Sequence, residues 1–91
     1  YSNYATALAG YIVQRVSGEK LEDYIEKHIF APLGMKQSSF RQPLPPALQP
    51  HMSEGYALAS GKPKGFEFVG GWPAGSLSSS ALDMTRFIIA H

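Results

Sequence analysis

From Tyr4 to Val16 the apolar residues Tyr4, Leu8, Tyr11, Ile12 and Val16 recur at three- and four-residue spacing, and Ser17-Gly18 follows as a left-handed stop. The pattern predicts an amphipathic helix. A second stripe is clearer: Leu21, Tyr24, Ile25, His28 and Ile29 share one helical face, while Glu22, Asp23, Glu26 and Lys27 fill the other. Asp23 and Lys27 stand at the i, i+4 spacing of a weak ion pair. Pro32 disfavours helical geometry at Ala31, so the second helix is expected to end near Ile29 or Phe30 and to give way to a turn through Pro32-Leu33-Gly34. Met35 to Phe40 reads as extended or irregular.

Pro43, Pro45, Pro46 and Pro50 lie so close together that neither a helix nor a central strand is expected between Gln42 and His51, which leaves a surface loop. Gly55 to Ala59 and Gly65 to Val69 read as two short strands of a hairpin, joined by Ser60-Gly61-Lys62-Pro63-Lys64. A Gly/Pro-rich bend, Gly70 to Gly75, leads to Ser78-Ser79-Ser80. There Ser80 and Asp83 form a capping-box-like start for a final helix whose stripe is Met84, Phe87, Ile88 and His91. The expected fold class is mostly α with a short β-hairpin. No repeat or second domain is visible, so residues 1–91 form one segment.

Composition narrows the function classes. Ninety-one residues, 44% of them hydrophobic, 12% aromatic and 16% charged, suffice for one small unit but not for a large enzyme domain. A chain this short buries roughly 60 to 65% of its unfolded surface, so a thin core is expected unless something else covers it. The net charge of +1 and the dispersed basic residues argue against nucleic acid and anionic membranes as partners. Cysteine is absent, which removes disulfides and thiol chemistry. No apolar run approaches the roughly 20 residues of a membrane span. The chain has no initiator Met and closes inside an apolar stretch without a cap, and it reads as cut at both ends.

Candidate chemistry is sparse. His28, His51 and His91 share no ligand spacing, and His28 on its apolar face reads as a packed histidine, so no metal is expected. No G-x-S-x-G occurs, and the glycines from Gly70 to Gly75 lack a following Lys-Ser or Lys-Thr, which makes a flexible bend the better reading than a phosphate cradle. Ser17-Gly18-Glu19-Lys20 does satisfy S-x-x-K. That chemistry needs the hydroxyl and the amine one turn apart on a rigid helix, whereas Gly18 marks the junction between two helices. Ser78, Ser79 and Ser80 have no placed base and read as residues that start a helix.

The order of segments says more than any one motif. Tyr1-Ser2-Asn3, a helix ending Val16-Ser17-Gly18, the stretch Tyr24 to Met35 and the stretch Ala74 to Phe87 together resemble the β-lactamase-related serine hydrolases. Ile29 to Met35 and Asp83 to Phe87 are the most specific parts. The family includes class C β-lactamases, penicillin-binding proteins, D-alanyl-D-alanine carboxypeptidases, D-aminopeptidases and lactamase-fold esterases. The resemblance implies a helical-region fragment of the α/β (α+β) serine β-lactamase-like fold. It also implies a catalytic role for Tyr1, in proton transfer with a nucleophilic serine, and a substrate-binding role for Asn3. A phenol of ordinary pKa about 10 is a poor base, but a nearby lysine ammonium favours the phenolate, and an Asn amide offers donor and acceptor in one plane. On the residues alone, Tyr1 is a terminal aromatic and Asn3 a helix N-cap.

In the family the S-x-x-K motif lies well upstream of Tyr-x-Asn, and Lys-Thr-Gly or His-x-Gly lies well downstream. Both are expected outside this chain, which leaves the isolated segment inactive. Ser76 stands where many relatives have Gly, and Ser80 where many have Thr. The implied parent cleaves β-lactam, D-amino acid peptide or ester substrates through an acyl-enzyme, without a cofactor, and relatives are commonly periplasmic or at the bacterial cell surface. A competing class is a non-catalytic helical interaction module, supported by the three stripes and by Phe66, Phe68 and Trp72, which look exposed. Either reading leaves apolar surface uncovered in the isolated chain and predicts self-association.

Overall fold

A computed structural model describes the chain except residues 57, 59 and 66–69 and the side chain at position 56. Four helical segments dominate: α1 (Asn3–Ser17), α2 (Leu21–Ile25), α3 (Ala31–Leu33) and α4 (Ala81–Ala90). Ser2, in extended geometry, caps α1 by accepting from the Ala5 N–H at 3.1 Å. The cap is therefore Ser2 and not Asn3, because the shorter hydroxyl side chain stands one residue earlier with its backbone outside the helix. Gly18, at φ 74°, ends α1 in the left-handed conformation, as expected. Gln14 then bridges the junction, its Oε1 accepting from the Leu21 N–H at 3.1 Å at the start of α2.

The second helix does not stop before Pro32. Ala31 is helical at φ −63° and ψ −50°, and the path continues from α2 through a π-helical turn (Glu26–Phe30) into α3. In that turn the Ala31 N–H reaches back five residues to the Glu26 carbonyl. The wider turn carries the chain past a proline ring that would collide with the carbonyl four residues back in a regular helix. The stop comes at Gly34, φ 70°, where Met35 N–H bonds the Phe30 carbonyl at 2.8 Å and Gly34 N–H bonds the Ala31 carbonyl at 3.1 Å. This is the paired termination typical of a left-handed C′ glycine, with Phe30 and Met35 both buried beside it. Two further expectations are corrected. Lys27 pairs with Glu19 at 3.3 Å while Asp23 pairs with Arg41 at 2.6 Å, so the Asp23–Lys27 pair does not form. His28 is exposed, with its ring 4.5 Å from that of Tyr24 and its Nε2 3.3 Å from Glu19, because those partners hold it at the edge of the stripe.

The proline-rich stretch is a loop with one 3-10 turn at Gln49–His51. Among the described residues, β-structure is confined to β1 (Gly55–Tyr56) paired antiparallel with β2 (Pro63–Lys64), and to a single bridge between Ser39 and Ser78. Pro63 and Lys64, expected in the hairpin connection, thus form its second strand; Pro63 starts that strand, where a missing N–H is tolerated. Most of the strand expected at Gly65 to Val69, with Phe66 and Phe68, lies outside the described residues. Trp72 is half-buried and donates from Nε1 to the Phe40 carbonyl at 2.7 Å, so it is not the exposed aromatic expected. Ser80 caps α4 by accepting from the Asp83 N–H at 3.2 Å. In α4, Asp83 is buried and Met84 and Phe87 are half-buried, whereas Ile88 and His91 are exposed, which turns the buried face away from the expected stripe.

The apolar core is thin: among the described residues Leu21, Phe30, Met35, Leu44 and Ala74 are its buried members, with the Phe30 and Phe40 rings stacked 6.1 Å apart. Beside it α1 crosses the chain at Gly10. A Cβ there would stand 2.6 Å from Leu21 Cδ2 and 3.2 Å from the Pro73 ring, so glycine sets how closely α1 approaches.

Candidate functional site

The two residues singled out for chemistry sit together at the start of α1. Tyr1 precedes the Ser2 cap and Asn3 is the first helical residue, so the cap's extended backbone separates them by one position. Tyr1 is fully exposed. Its hydroxyl is within hydrogen-bond reach of Thr6 Oγ1 at 3.3 Å, and Thr6 Oγ1 also lies 3.1 Å from the Ser2 carbonyl. Thr6 has one hydroxyl proton and so donates to one of these oxygens at a time. That contact ties the phenol hydroxyl to the first turn of α1 and leaves it open to a further partner. Asn3 is exposed beside it. The first turn of α1 carries no acidic residue, so the positive pole of the helix is not offset there.

The other candidates are not brought together. Ser17 is the last residue of α1 and Lys20 the N-cap of α2, with left-handed Gly18 between them, and the Ser17 hydroxyl accepts from the Glu19 N–H at 3.2 Å. The S-x-x-K match is therefore a helix connection. His51 lies in the 3-10 turn and His91 follows α4, 4.8 Å from the Phe87 ring. Among the described residues no group of three metal-binding side chains occurs, and no helix is long and apolar enough to cross a membrane.

Sequence reasoning missed a buried polar seam. The Asp83 carboxylate, 3% exposed, accepts from the Gln37 N–H and from the Ser38 hydroxyl, both at 2.7 Å. Ser38 Oγ is also 2.8 Å from Ser79 Oγ, and next to it Ser39 and Ser78 exchange backbone bonds of 2.8 and 2.9 Å. A capping box would return the Asp83 carboxylate to the Ser80 N–H; here it is spent on residues 46 and 45 positions earlier in the chain. Nothing local in the sequence signals that diversion. The seam underlies a groove of about 410 Å³ bordered by Gln37, Leu44, His51, Met52 and Ser78 to Ser80. A second hub is Arg41, whose Nε and Nη2 hold Glu26 at 2.7 and 3.1 Å while Nη2 also meets Asp23 at 2.6 Å. The hydrogen bond to Glu26, and next the one to Asp23, raise the guanidinium pKa above its ordinary value and keep it charged.

Comparison with known proteins adds three findings. The family model described as Beta-lactamase matches residues 1–91. The Bacillus subtilis (strain 168) protein named penicillin-binding protein PbpX is 35% identical over 92 residues, which covers 94% of this chain and 22% of that protein. The chain thus spans about one fifth of that relative's length. No solved structure matches the chain significantly.

Proposed function

The chain belongs to the beta-lactamase family, and on that premise we propose that its full-length protein is a serine hydrolase to which this chain contributes Tyr1, Asn3 and a mostly helical wall beside them. The observation that carries the reading is the Tyr1 hydroxyl, which Thr6 steadies at the head of α1 and leaves open to a reaction partner. In this reading the residues form the helical-region portion of a serine β-lactamase-like fold. A serine from outside the chain attacks the substrate carbonyl while its proton passes to the Tyr1 phenolate, and Tyr1 gives that proton to the leaving group as its bond to the carbonyl breaks. Water, losing one proton to Tyr1, then attacks the acyl-enzyme, and Tyr1 returns that proton to the serine oxygen as the acid is released. Asn3 holds the substrate's amide by donating to its carbonyl and accepting from its N–H. β-Lactams, D-amino acid peptides and esters all present the carbonyl this chemistry needs. Among the described residues no serine has a placed base, and the isolated chain is expected to be inert.

Hydrolysis of nitrocefin and of p-nitrophenyl acetate by the full-length protein tests the assignment. Tyr1→Phe is expected to lower kcat by about 100-fold or more with little change in KM, the usual size of a lost proton-transfer group. Asn3→Ala is expected to lower kcat/KM chiefly for substrates with an amide side chain. A Tyr1→Phe enzyme within about twofold of the parent would remove Tyr1 from the chemistry.

A further inference from the structure

Thr6 closes the first turn of α1, where no cap needs it: Ser2 already caps the helix, its Oγ accepting from the Ala5 N–H. Helical side chains lean toward the N-terminus, and that lean carries the Thr6 hydroxyl back over residues 1 and 2. There Oγ1 stands between two oxygens, 3.1 Å from the Ser2 carbonyl and 3.3 Å from the Tyr1 hydroxyl. The Ser2 carbonyl also accepts from the Thr6 N–H at 3.1 Å, so it keeps a partner when the Thr6 hydroxyl turns away. Thr6 is half-buried and β-branched, which confines its Oγ1 to few positions, whereas Tyr1 is fully exposed and is not held by packing.

The chemistry proposed for Tyr1 makes a double demand on any group that touches its oxygen. That oxygen is a phenolate when it takes a proton and a phenol when it gives one up, so it alternates between acceptor and donor. An ammonium can only donate and an ionised carboxylate can only accept, so each suits one of the two states. A hydroxyl suits both. Toward the phenolate Thr6 donates, leaving the Ser2 carbonyl to the Thr6 N–H; toward the phenol it turns its proton to Ser2 and accepts from Tyr1. The hydroxyl proton of Thr6 stays on its own oxygen throughout, and only its direction changes.

We propose that Thr6 is a positioning residue for Tyr1, its hydroxyl turning with the proton on the phenol and holding the phenol oxygen in one place through both halves of the cycle. This role rests on the catalytic reading of Tyr1 and extends it to a residue outside Tyr-x-Asn. At 3.3 Å the contact is longer than the roughly 2.7 to 2.8 Å of an ordinary O–H···O bond, and it is expected to shorten when charge develops on the phenolate.

Steady-state hydrolysis of nitrocefin and p-nitrophenyl acetate by the full-length protein and its Thr6→Val, Thr6→Ser, Tyr1→Phe and Tyr1→Phe/Thr6→Val variants tests the role. Thr6→Val keeps the branched shape and loses the hydroxyl, and it is expected to lower kcat about tenfold with KM within about twofold. Thr6→Ser restores the hydroxyl and is expected to return kcat to within about threefold of the parent. In the Tyr1→Phe background, Thr6→Val should change kcat by less than about twofold, because the oxygen it serves is gone. A Thr6→Val enzyme with parental kcat would overturn the proposal, and a slow Tyr1→Phe enzyme beside it would leave the catalytic reading standing. A loss that serine fails to rescue, or that persists in full beside Tyr1→Phe, would overturn it as well, since Thr6 would then act on the fold and not on the phenol. Tyr1→Phe at the parental rate, or a parent that hydrolyses neither substrate nor a D-alanyl peptide, would remove both readings.

Discussion

Asp83→Ala is expected to destabilise the full-length protein by about 3 kcal/mol, since it strips one buried and one part-buried donor of their acceptor at once. The Gln37 N–H and the Ser38 hydroxyl both donate to a carboxylate that is 3% exposed. The loss would spread to Ser79, which meets Ser38, and so to the pairing of residues 37–39 with 78–80 that underlies the groove. Asp83→Asn keeps one acceptor oxygen and is expected to cost about 1 kcal/mol. Urea titration of the three proteins reads the difference. Ala and Asn variants of equal stability would mean that shape and not hydrogen bonding holds the seam.

Gly10→Val is expected to cost about 2 kcal/mol, although valine has the better helix propensity. The new Cβ alone would stand 2.6 Å from Leu21 Cδ2 and 3.2 to 3.3 Å from two atoms of the Pro73 ring. Leu21 is buried and the ring is rigid, so either the Leu21 side chain leaves its rotamer or α1 shifts, and both carry a cost. Gly10→Ala sets the same contact against a propensity gain of about 1 kcal/mol and is expected to be slightly destabilising, where an open helix would gain. A double-mutant cycle identifies the cause: with Leu21→Ala in place, Gly10→Val should cost at least about 1 kcal/mol less than in the parent background. Strict additivity would show that the crossing is looser than these distances imply.

The helices were largely legible in the sequence because their determinants are local. Gly18 as a left-handed stop and Ser80 as an N-cap act within one turn, and both were readable from residue type and position. The run through Pro32 was not, because the local bias against helix at Ala31 is overridden by a five-residue hydrogen bond from Ala31 to Glu26 that no periodicity announces. Long-range polar contacts were equally hidden. Asp83 looks like half of a capping box until Ser38 approaches from 45 residues away, and Arg41 looks like a loop cation until Glu26 and Asp23 meet it.

Tyr1 and Asn3 are a different case. Composition and spacing offer only a terminal aromatic and a polar helix start; the roles proposed for them come from the order of segments that they share with a family. The geometry adds that the Tyr1 hydroxyl is seated on Thr6 and open to solvent. The stripe on α1 was visible as periodicity, yet periodicity does not say which neighbour covers it. The 91 residues turn that stripe outward.

Intact-mass spectrometry after incubation with a penicillin, run side by side on the 91-residue chain, the full-length protein and its Tyr1→Phe variant, shows whether a serine acyl-enzyme forms and where. A covalent adduct is expected on a serine of the full-length protein outside these residues, with slower adduct formation in the variant and none on the isolated chain. An adduct on Ser17, Ser78, Ser79 or Ser80 of the isolated chain would contradict it, and so would a full-length protein that forms no acyl-enzyme with penicillin, a D-alanyl peptide or an activated ester.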